Sequence, residues 1–466
     1  MSFRGTLCVY VFISACAVCF LVVCVKVLVV GFGWAGFEVA LTCRSLSRDL
    51  EIIVVSEEPC PAYCRCGLTY AISGEVEFNN LFLRSQDFYK SAGINVLLGY
   101  RVVEASSGVA RVRPTSSVGS ESSMQYDRLV LATGAKPVDP PFEYSGIEGV
   151  FKLRDLRDAQ AIRRWALRSK SAAIYGSGFL GLQVADALHK LGLKVKLVEP
   201  LSSVMPTILD QDVASRIKSI IEGFGVEVYT DAHVREAEGD KQVKRLVGDG
   251  FEVDCDMVVL ATKVKPRVEL AEKLGVKLGV TGGIVVDERM ETSVEGVYAA
   301  GDCVEVKELV TESPVLAQIA SAAIREARVA ASNIAGKVDS YPGTTLTALS
   351  KVFGVEIGIA GLNSSLSSKL GLDVVPVTVE GPVKGGYYPG KALVKLLADR
   401  GTGRVVGVQC LGEGAHLRAS LVSQAIAKGF TVKDLAKLEL GYHPLLMPVW
   451  DPLIEASEKL LEEVKP

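Results

Sequence analysis

The chain of 466 residues lacks the features that mark several common classes of protein. Its 11 cysteines show no paired metal-ligand spacing, so we expect neither a metal site nor a disulfide framework, and reduced thiols are favoured. No basic block occurs and the net charge is −3, which argues against nucleic acid as the main partner. What remains, with 49% apolar and 23% charged residues, is typical of a globular protein of about two or three domains.

One long uncharged run is present, between residues 5 and 25. Its length is typical of a transmembrane helix or the core of a signal peptide. A strand pattern begins at about Val25 with no linker, however, which leaves a membrane helix little room. Residues 1–24 are therefore predicted to be a hydrophobic extension that is an anchor, a signal, or the product of a start site placed too early. We expect a cytoplasmic protein, with membrane contact only if the segment is an anchor.

A first glycine turn follows the apolar strand pattern of residues 26–30. It consists of Gly31, Gly33 and Gly36 with the spacing GxGxxG, and a helical pattern continues from residue 35 to 45. In a strand–turn–helix unit the first glycine makes the tight turn, the second admits a pyrophosphate, and the third packs the helix on the strand. The free N–H groups at the start of the helix then face the phosphates.

A second glycine turn, made of Gly176, Gly178 and Gly181, repeats this unit after a strand pattern at 171–175. The next strand pattern closes with Glu199, placed to accept from both ribose hydroxyls of a nucleotide. A carboxylate there repels a 2′-phosphate, so NADH is favoured over NADPH. The alternative for Glu199 is a solvated acid at a strand end.

In the first unit Glu57 is the predicted ribose ligand, although Glu58 is adjacent to it. Both acids follow the strand pattern at residues 52–55. This is the equivalent of the position that Glu199 takes in the second unit.

The alternation of helix and strand patterns predicts an α/β fold with parallel sheets. The first dinucleotide-binding domain is expected at 25–145 and 266–335, with the second inserted at 146–265. After residue 340 the pattern changes to strands followed by two helical stretches. Residues 340–466 are therefore predicted to be a separate α+β domain.

Ordered motifs extend over most of the chain. They are YCRCGLTY at 63–70, ATGAKP at 132–137, AAGD at 299–302, PGT at 342–344, YYPG at 387–390 and VWDP at 449–452. In these residues the chain resembles the FAD-dependent pyridine nucleotide-disulfide oxidoreductases. Within them it is similar to the single-cysteine branch, which holds coenzyme A disulfide reductases, NADH oxidases, NADH peroxidases and polysulfide reductases. The resemblance implies two Rossmann-like domains, FAD in the first and NADH or NADPH in the second, and a C-terminal dimerisation domain.

The resemblance also implies roles at the flavin site. Thr133, Gly134, Gly301 and Asp302 fall in motifs assigned to that site, with Asp302 holding the flavin ribitol at the start of a helix. The dipole of such a helix would stabilise negative charge on the reduced flavin. Helix N-cap is the alternative role of Asp302, and both roles are compatible.

The resemblance makes Cys66 the redox cysteine. The dithiol members use Cys-x4-Cys, and Ala71 excludes a second sulfur of that type here. A helix start predicted at Leu68 would lower the pKa of Cys66 and activate it as a nucleophile. Cys66 would then alternate between a thiolate and a mixed disulfide, or pass through a sulfenic acid with oxygen. Cys64 is either a passive substitution or a resolving or persulfide-carrying thiol.

Proton donors are implied in the partner subunit of a homodimer. The matching positions are Tyr442 and either Tyr387 or Tyr388, since a phenol can protonate a leaving thiolate. His443 is the alternative donor, or a structural histidine in a turn.

Three further residues have two readings each. Phe179 either gates the nicotinamide pocket or packs in the core. Arg44 and Arg48, one helical turn apart, either meet coenzyme A phosphates or lie on a solvated helix face.

The sequence therefore predicts a homodimeric FAD enzyme that takes hydride from NAD(P)H and passes electrons through Cys66. Coenzyme A disulfide or a polysulfide is the first expectation for the acceptor, and oxygen, as in an NADH oxidase, is the alternative. An electron-transfer reductase for a small redox protein and a nucleotide-dependent redox sensor are further alternatives.

Overall fold

The computed structural model describes residues 24–116 and 119–464. The predicted hydrophobic extension lies outside the described residues, apart from Cys24. Among the helices of these two ranges, none combines the length and the apolar character that crossing a bilayer requires.

The helices and strands fall into four stretches of the chain. The first contains β1 (Lys26–Val30), α1 (Trp34–Leu46), β2 (Glu51–Ser56), α2 (Leu68–Ser73), α3 (Gln86–Ser91), β3 (Ile94–Leu98), β4 (Tyr100–Ser106), β5 (Val109–Pro114), β6 (Ser122–Gln125), β7 (Arg128–Leu131) and β8 (Ala135–Pro137). The second contains β9 (Val150–Lys152), α4 (Leu156–Ala166), β10 (Ser171–Tyr175), α5 (Phe179–Lys190), β11 (Lys194–Val198), α6 (Gln211–Gly223), β12 (Glu227–Tyr229), β13 (Val234–Glu238), β14 (Arg245–Gly248), β15 (Phe251–Asp254) and β16 (Val258–Leu260). The third contains β17 (Val264–Pro266), α7 (Glu269–Lys273), β18 (Ile284–Val285), β19 (Val297–Ala299), β20 (Val304–Lys307), β21 (Pro314–Val315) and α8 (Ala320–Ile334). The fourth contains β22 (Ala348–Val352), β23 (Val355–Gly361), α9 (Ser364–Lys369), β24 (Val374–Pro382), β25 (Lys391–Asp399), β26 (Val405–Leu411), α10 (Ala415–Ala427), α11 (Val432–Leu435) and α12 (Pro452–Glu463).

The first sheet is parallel, with the strand order β19–β7–β1–β2–β3. After Lys26 its central strand is an unbroken apolar run, because it has a strand on each side and α1 packs on it, with α8 packed on α1 and β19. The strand order reverses at β1, so a crevice opens at its carboxyl end. The first glycine turn lies at this crevice.

The second sheet is also parallel, in the order β12–β11–β10–β16–β9. Its strands all come from the second stretch, whereas β19 of the first sheet comes from the third. The chain thus leaves the first sheet, builds the second and returns. This confirms the predicted fold class of two Rossmann-like sheets with one inserted in the other.

The fourth stretch forms an antiparallel sheet in the order β22–β23–β26–β25–β24. Helices α10 and α12 pack on it and enclose a separate apolar core. Buried polar groups join this sheet to the second one: Lys395 Nζ lies 3.0 Å from Asp210 Oδ2 and 2.7 Å from Asp212 Oδ1. The predicted α+β unit is therefore present and is fixed against the unit that contains the second sheet.

Candidate functional site

The first glycine turn has two crowded positions and one open position. A Cβ on Gly31, whose φ is +107°, would lie 2.1 Å from the carbonyl oxygen of Ala132, and a Cβ on Gly36 would lie 2.0 Å from that of Gly31. A Cβ on Gly33 would meet only Arg65 Nε, at 3.9 Å. Gly33 caps α1 with no side chain hydrogen-bonded to the free N–H groups. The turn therefore fits the pyrophosphate of a dinucleotide, which needs open space in front of those donors.

The second glycine turn has the same geometry. A Cβ on Gly176 would lie 2.5 Å from Ala261 O, and one on Gly181 would lie 2.0 Å from Gly176 O. At Gly178 a Cβ would meet nothing within 4 Å. Gly178 caps α5, also without a side-chain hydrogen bond, so this turn fits a second pyrophosphate.

The two predicted ribose acids have different surroundings. Glu199 is buried at the end of β11, and its carboxylate accepts from Ser177 N at 2.9 Å, from Ser177 Oγ at 2.6 Å and from Leu201 N at 3.0 Å. It thus braces the second glycine turn beside the cavity. Glu57 follows β2 and forms ion pairs with Arg101 at 2.9 Å and Arg267 at 3.4 Å.

A cavity of about 1900 Å³ contains the second glycine turn, Glu199, Phe179 and Cys66 on its walls. The first residues of α8 line it as well. Just before α8, Gln318 has a φ of +49° and a buried amide nitrogen with no partner among the described residues. A buried donor without a partner on a cavity wall is typical of a ligand-binding position. No motif pointed to Gln318 in the sequence.

Cys66 lies in the short 3₁₀ turn Arg65–Gly67, directly before α2. The predicted helix start at Leu68 is confirmed. The Cys66 side chain is exposed, whereas Cys64, the residue that caps the 3₁₀ turn, is half-buried. The two thiols share a hydrogen bond. Cys66 therefore stands on the cavity wall with a second sulfur behind it.

The prediction that the helix start lowers the pKa of Cys66 is wrong in this structure. Hydrogen bonds to the Cys64 sulfur, first from the Cys66 thiol and then from backbone N–H groups, lower the pKa of Cys64 to about 6. The same thiol–thiol hydrogen bond, burial and the nearby Asp302 carboxylate raise the pKa of Cys66. Helix α2 has only six residues, so its dipole does not outweigh these local contacts.

Asp302 does not begin a helix, which corrects a second prediction. It lies in the turn between β19 and β20, because the alternating residues Val304–Lys307 continue as a strand. Its carboxylate is 3.0 Å from the Arg154 guanidinium. The helix whose amino end reaches the cavity is α8, which starts at Ala320 without a capping side chain.

The other residues that the sequence predicts for the flavin site connect segments of backbone. Thr133 Oγ1 donates to Arg267 O at 2.6 Å, and Arg267 N donates to Gly134 O at 2.9 Å. Gly301, with a φ of +91°, donates its N–H to the carboxylate of Glu326 at 2.7 Å. Burial, which is the dominant cause, raises the pKa of Glu326 to about 7. Sequence reasoning missed Glu326 because nothing in a helical pattern marks a buried acid.

The predicted proton donors do not line the cavity of their own chain. Tyr387 is 74% exposed and Tyr442 is 55% exposed, and neither they nor Tyr388 and His443 line the cavity in the described part of the chain. The rings of Tyr387 and Tyr388 are 5.0 Å apart. Gly385 N donates to Pro444 O at 2.9 Å and joins the two segments that carry these residues.

An exposed apolar face surrounds the tyrosines. It also includes Leu445, Leu446, Val449 and Trp450, of which Trp450 is 81% exposed. We refer to these residues together with Tyr387, Tyr388 and Tyr442 as the C-terminal face. An apolar patch of this kind indicates contact with another protein surface.

The two arginines of the first helix differ in their contacts. Arg44 donates to the backbone carbonyls of Ser47, Arg48, Leu50 and Gly93 at 2.7 to 3.3 Å. It thereby holds the end of α1 against the loops beside it. The side chain of Arg48 is exposed. A phosphate contact stays a prediction for both residues.

Comparison with known proteins agrees with this geometry. The profile described as pyridine nucleotide-disulphide oxidoreductase matches residues 25–327, and that of the dimerisation domain of the same family matches residues 347–452. An NADH oxidase of Methanocaldococcus jannaschii is 34% identical over 94% of this chain and 99% of its own length. An NAD(P)H coenzyme A polysulfide/persulfide reductase of Pyrococcus horikoshii is 34% identical over 93% of this chain and 98% of its own. The solved NAD-dependent persulfide reductase of A. fulgidus is 36% identical, with a TM-score of 0.90 over 94% of this chain and 83% of that one.

Proposed function

We propose that this chain, which belongs to the pyridine nucleotide-disulphide oxidoreductase family, reduces coenzyme A disulfide or a polysulfide with NAD(P)H through Cys66. The observation that carries the proposal is the exposed Cys66 thiol on the wall of the cavity that also contains the second glycine turn. A nucleotide bound at the turn and a disulfide at the thiol would share one cavity. Relatives named for polysulfide and persulfide reduction support this choice of acceptor.

FAD and NAD(P)H are the cofactors of this enzyme. Bound flavin supplies the chemistry that converts hydride transfer from nicotinamide into electron-pair transfer to sulfur. We assign FAD to the first glycine turn, with Glu57 near the ribose and with Thr133, Gly134, Gly301 and Asp302 towards the ring. This assignment follows from the open position at Gly33 and from the contact of Gly301 with the first turn of α1, where a Cβ on Gly301 would lie 3.0 Å from Ala35 Cβ.

NAD(P)H is assigned to the second turn, between Gly178 and Glu199, with Phe179 on the wall nearby. The Glu199 carboxylate disfavours a 2′-phosphate by like-charge repulsion, so we propose that NADH is preferred. The N–H groups at the start of α5 hold the pyrophosphate.

The proton donors are proposed to come from a second copy of the chain. Tyr387, Tyr388, Tyr442 and His443 lie on or beside the C-terminal face and away from their own cavity. A homodimer formed through the dimerisation domain would bury this face and bring phenol groups towards Cys66 of the other copy. A phenol there protonates the departing thiolate.

Oxygen is the second candidate acceptor. It is favoured by the likeness to a relative named NADH oxidase. An exposed Cys66 thiol can pass through a sulfenic acid, which allows this chemistry in the same cavity.

The test is an anaerobic NADH titration of the flavin-loaded protein, followed by addition of coenzyme A disulfide, polysulfide or oxygen. Cys66→Ser is expected to keep flavin reduction by NADH and to lose disulfide and polysulfide turnover. Cys60→Ser is the matched control, because burial raises the pKa of Cys60 to about 11 and keeps it an unreactive thiol. Undiminished turnover in Cys66→Ser would exclude the cysteine route and favour direct reduction of oxygen or of a partner protein by the flavin.

A further inference from the structure

The sulfur of Cys64 lies against the turn that carries Cys66. Cys64 caps this 3₁₀ turn, and a Cβ added to Gly67 would lie 3.8 Å from the Cys64 sulfur. The backbone of Cys64 is fixed on both sides, since its N–H donates to Leu81 O at 2.9 Å and its carbonyl accepts from Gly67 N at 3.1 Å. The neighbouring Cys66 thiol and backbone N–H groups lower the pKa of Cys64, because donors near a sulfur stabilise its thiolate form.

The two thiols therefore titrate as a pair that loses its first proton easily and its second with difficulty. The pKa of Cys64 is lowered to about 6, with the hydrogen bond from Cys66 as the largest cause, and that of Cys66 is raised. The Asp302 carboxylate, which is paired with Arg154 at 3.0 Å, also raises the pKa of Cys66, so the first proton is lost more easily from Cys64. The Arg65 guanidinium between them in sequence is turned away, to Glu58.

Access differs between the two sulfurs. Cys66 is exposed and lines the cavity, whereas Cys64 is half-buried and does not belong to the cavity wall in the described residues. A disulfide substrate entering the cavity meets Cys66 first. Cys64 lies behind it, in hydrogen-bonding contact with the atom that the substrate would modify.

We propose that Cys64 is the resolving thiol of this enzyme, which releases the second half of the substrate by forming a transient disulfide with Cys66. This inference rests on the proposed function, because it takes the mixed disulfide on Cys66 as its starting point. It adds a catalytic residue that the single-cysteine pattern does not contain.

The steps balance in atoms and charge. In the first, the Cys66 sulfur attacks a disulfide RSSR, its proton passes to the Cys64 thiolate, and one RS⁻ leaves. In the second, the Cys64 sulfur attacks Cys66, the bond from Cys66 to the substrate sulfur breaks, and RSH leaves with the proton from Cys64. The resulting Cys64–Cys66 disulfide accepts a hydride equivalent from NAD(P)H through the enzyme's redox chemistry and returns to one thiol and one thiolate.

A disulfide between residues 64 and 66 closes a very short loop and is strained. Strained disulfides have more oxidising reduction potentials and are readily reduced, which suits a carrier that must not accumulate. A stable Cys64–Cys66 disulfide would leave the enzyme oxidised and inactive, whereas a labile disulfide is readily reduced again to two thiols.

The experiment counts the coenzyme A released in the absence of NADH. Flavin-loaded protein with both thiols reduced is mixed anaerobically with coenzyme A disulfide and quenched with acid. Wild type and the control Cys60→Ser are expected to release two coenzyme A thiols per chain and to yield a peptide with a Cys64–Cys66 disulfide. Cys64→Ser and Cys64→Ala are expected to release one and to keep coenzyme A on Cys66, as mass spectrometry of the peptide would show.

Each other outcome has a definite meaning. Release of one coenzyme A by wild type, with a stable mixed disulfide on Cys66, overturns the resolving role and leaves the proposed function intact. Release of two by Cys64→Ser overturns it as well. Release of none by wild type, from coenzyme A disulfide or as sulfide from polysulfide, overturns the proposed function and this inference with it. If neither Cys64 variant retains flavin, the disulfide content of the wild-type peptide decides alone.

Discussion

At the scale of single residues, chemistry depends on contacts that are specific to each side chain. Cys64 and Cys66 are the same residue type two positions apart, yet one has a lowered pKa and the other a raised pKa. The difference arises first from the hydrogen bond between the two thiols, and then from backbone donors near the Cys64 sulfur and from the burial and the nearby carboxylate of Cys66. Glu326 is a second case, since it is a carboxylate held almost wholly out of water beside Gly301 and Asp302.

Glu326 is expected to make stability depend on pH. Its pKa of about 7, against 4.5 for an ordinary glutamate, means that the folded protein retains a proton that the unfolded chain loses. The free energy of unfolding should therefore fall as the pH rises from about 4.5 to 7, by about 3 kcal/mol, and then level off. Glu326→Gln should remove most of this decline, because a neutral amide can still accept from Gly301.

Urea-unfolding midpoints of the flavin-loaded protein at pH 5 and pH 8 measure this effect. The groups facing Glu326 are Asp302, Cys303 and Tyr341. Exposed Glu272 provides a surface control as Glu272→Gln. An equal pH dependence in wild type and Glu326→Gln would contradict the assignment.

At the scale of elements, the strand–turn–helix unit was predictable because its constraints are local. The crowded glycines accept no Cβ, and the middle glycine of each turn has open space in front of it, as the spacing indicates. The pattern failed at Asp302, where a Gly-Asp pair was expected to open a helix. The following residues alternate apolar and polar and pair as strand β20 instead. Local sequence did not decide which helix reaches the cavity, since α8 begins 18 residues later along the chain.

Valine substitutions at the two open glycines are expected to impair the two nucleotide sites independently of each other. Gly178→Val should fold and retain flavin, because a Cβ there meets nothing within 4 Å, but its NADH affinity should fall about tenfold or more, or about 1.4 kcal/mol. Gly33→Val should instead purify with little flavin. Flavin content and NADH titration measure both effects. Gly181→Ala, whose Cβ would collide with Gly176 O at 2.0 Å, should lower the melting temperature as well. Normal NADH affinity in Gly178→Val would refute the site assignment.

At the scale of the whole molecule, the tyrosines of the C-terminal face are exposed and are not among the residues that line the cavity with Cys66. The C-terminal face is apolar and exposed, and it belongs to the domain that matches the family's dimerisation profile. A single chain therefore holds the redox half of the proposed site and presents the proton-donor half to a second copy.

Trp450→Glu is expected to convert a dimer into monomers, because it places a charge in the centre of an apolar interface. The monomer should retain flavin and reduce it with NADH. It should lose most turnover of disulfide substrate, because the proposed proton donors of the second copy are no longer next to Cys66. Sedimentation and steady-state kinetics measure the two effects. Val280→Glu is the matched control, since Val280 is 87% exposed and lies outside this face. A Trp450→Glu protein that remains dimeric and active would remove this face from the site.

The sequence alone determined the two parallel sheets, the glycine turns and the cysteine that precedes helix α2. These features depend only on residues that are neighbours in the sequence. They are apolar strand runs, the spacing of glycines, and a cysteine before the start of a helix. Only the tertiary structure decided that the pKa of Cys64 is lowered, that Asp302 meets Arg154, and that Glu326 is buried beneath Gly301. These depend on burial and on partners up to 148 residues apart, and electrostatic energies follow distance in space rather than separation along the chain.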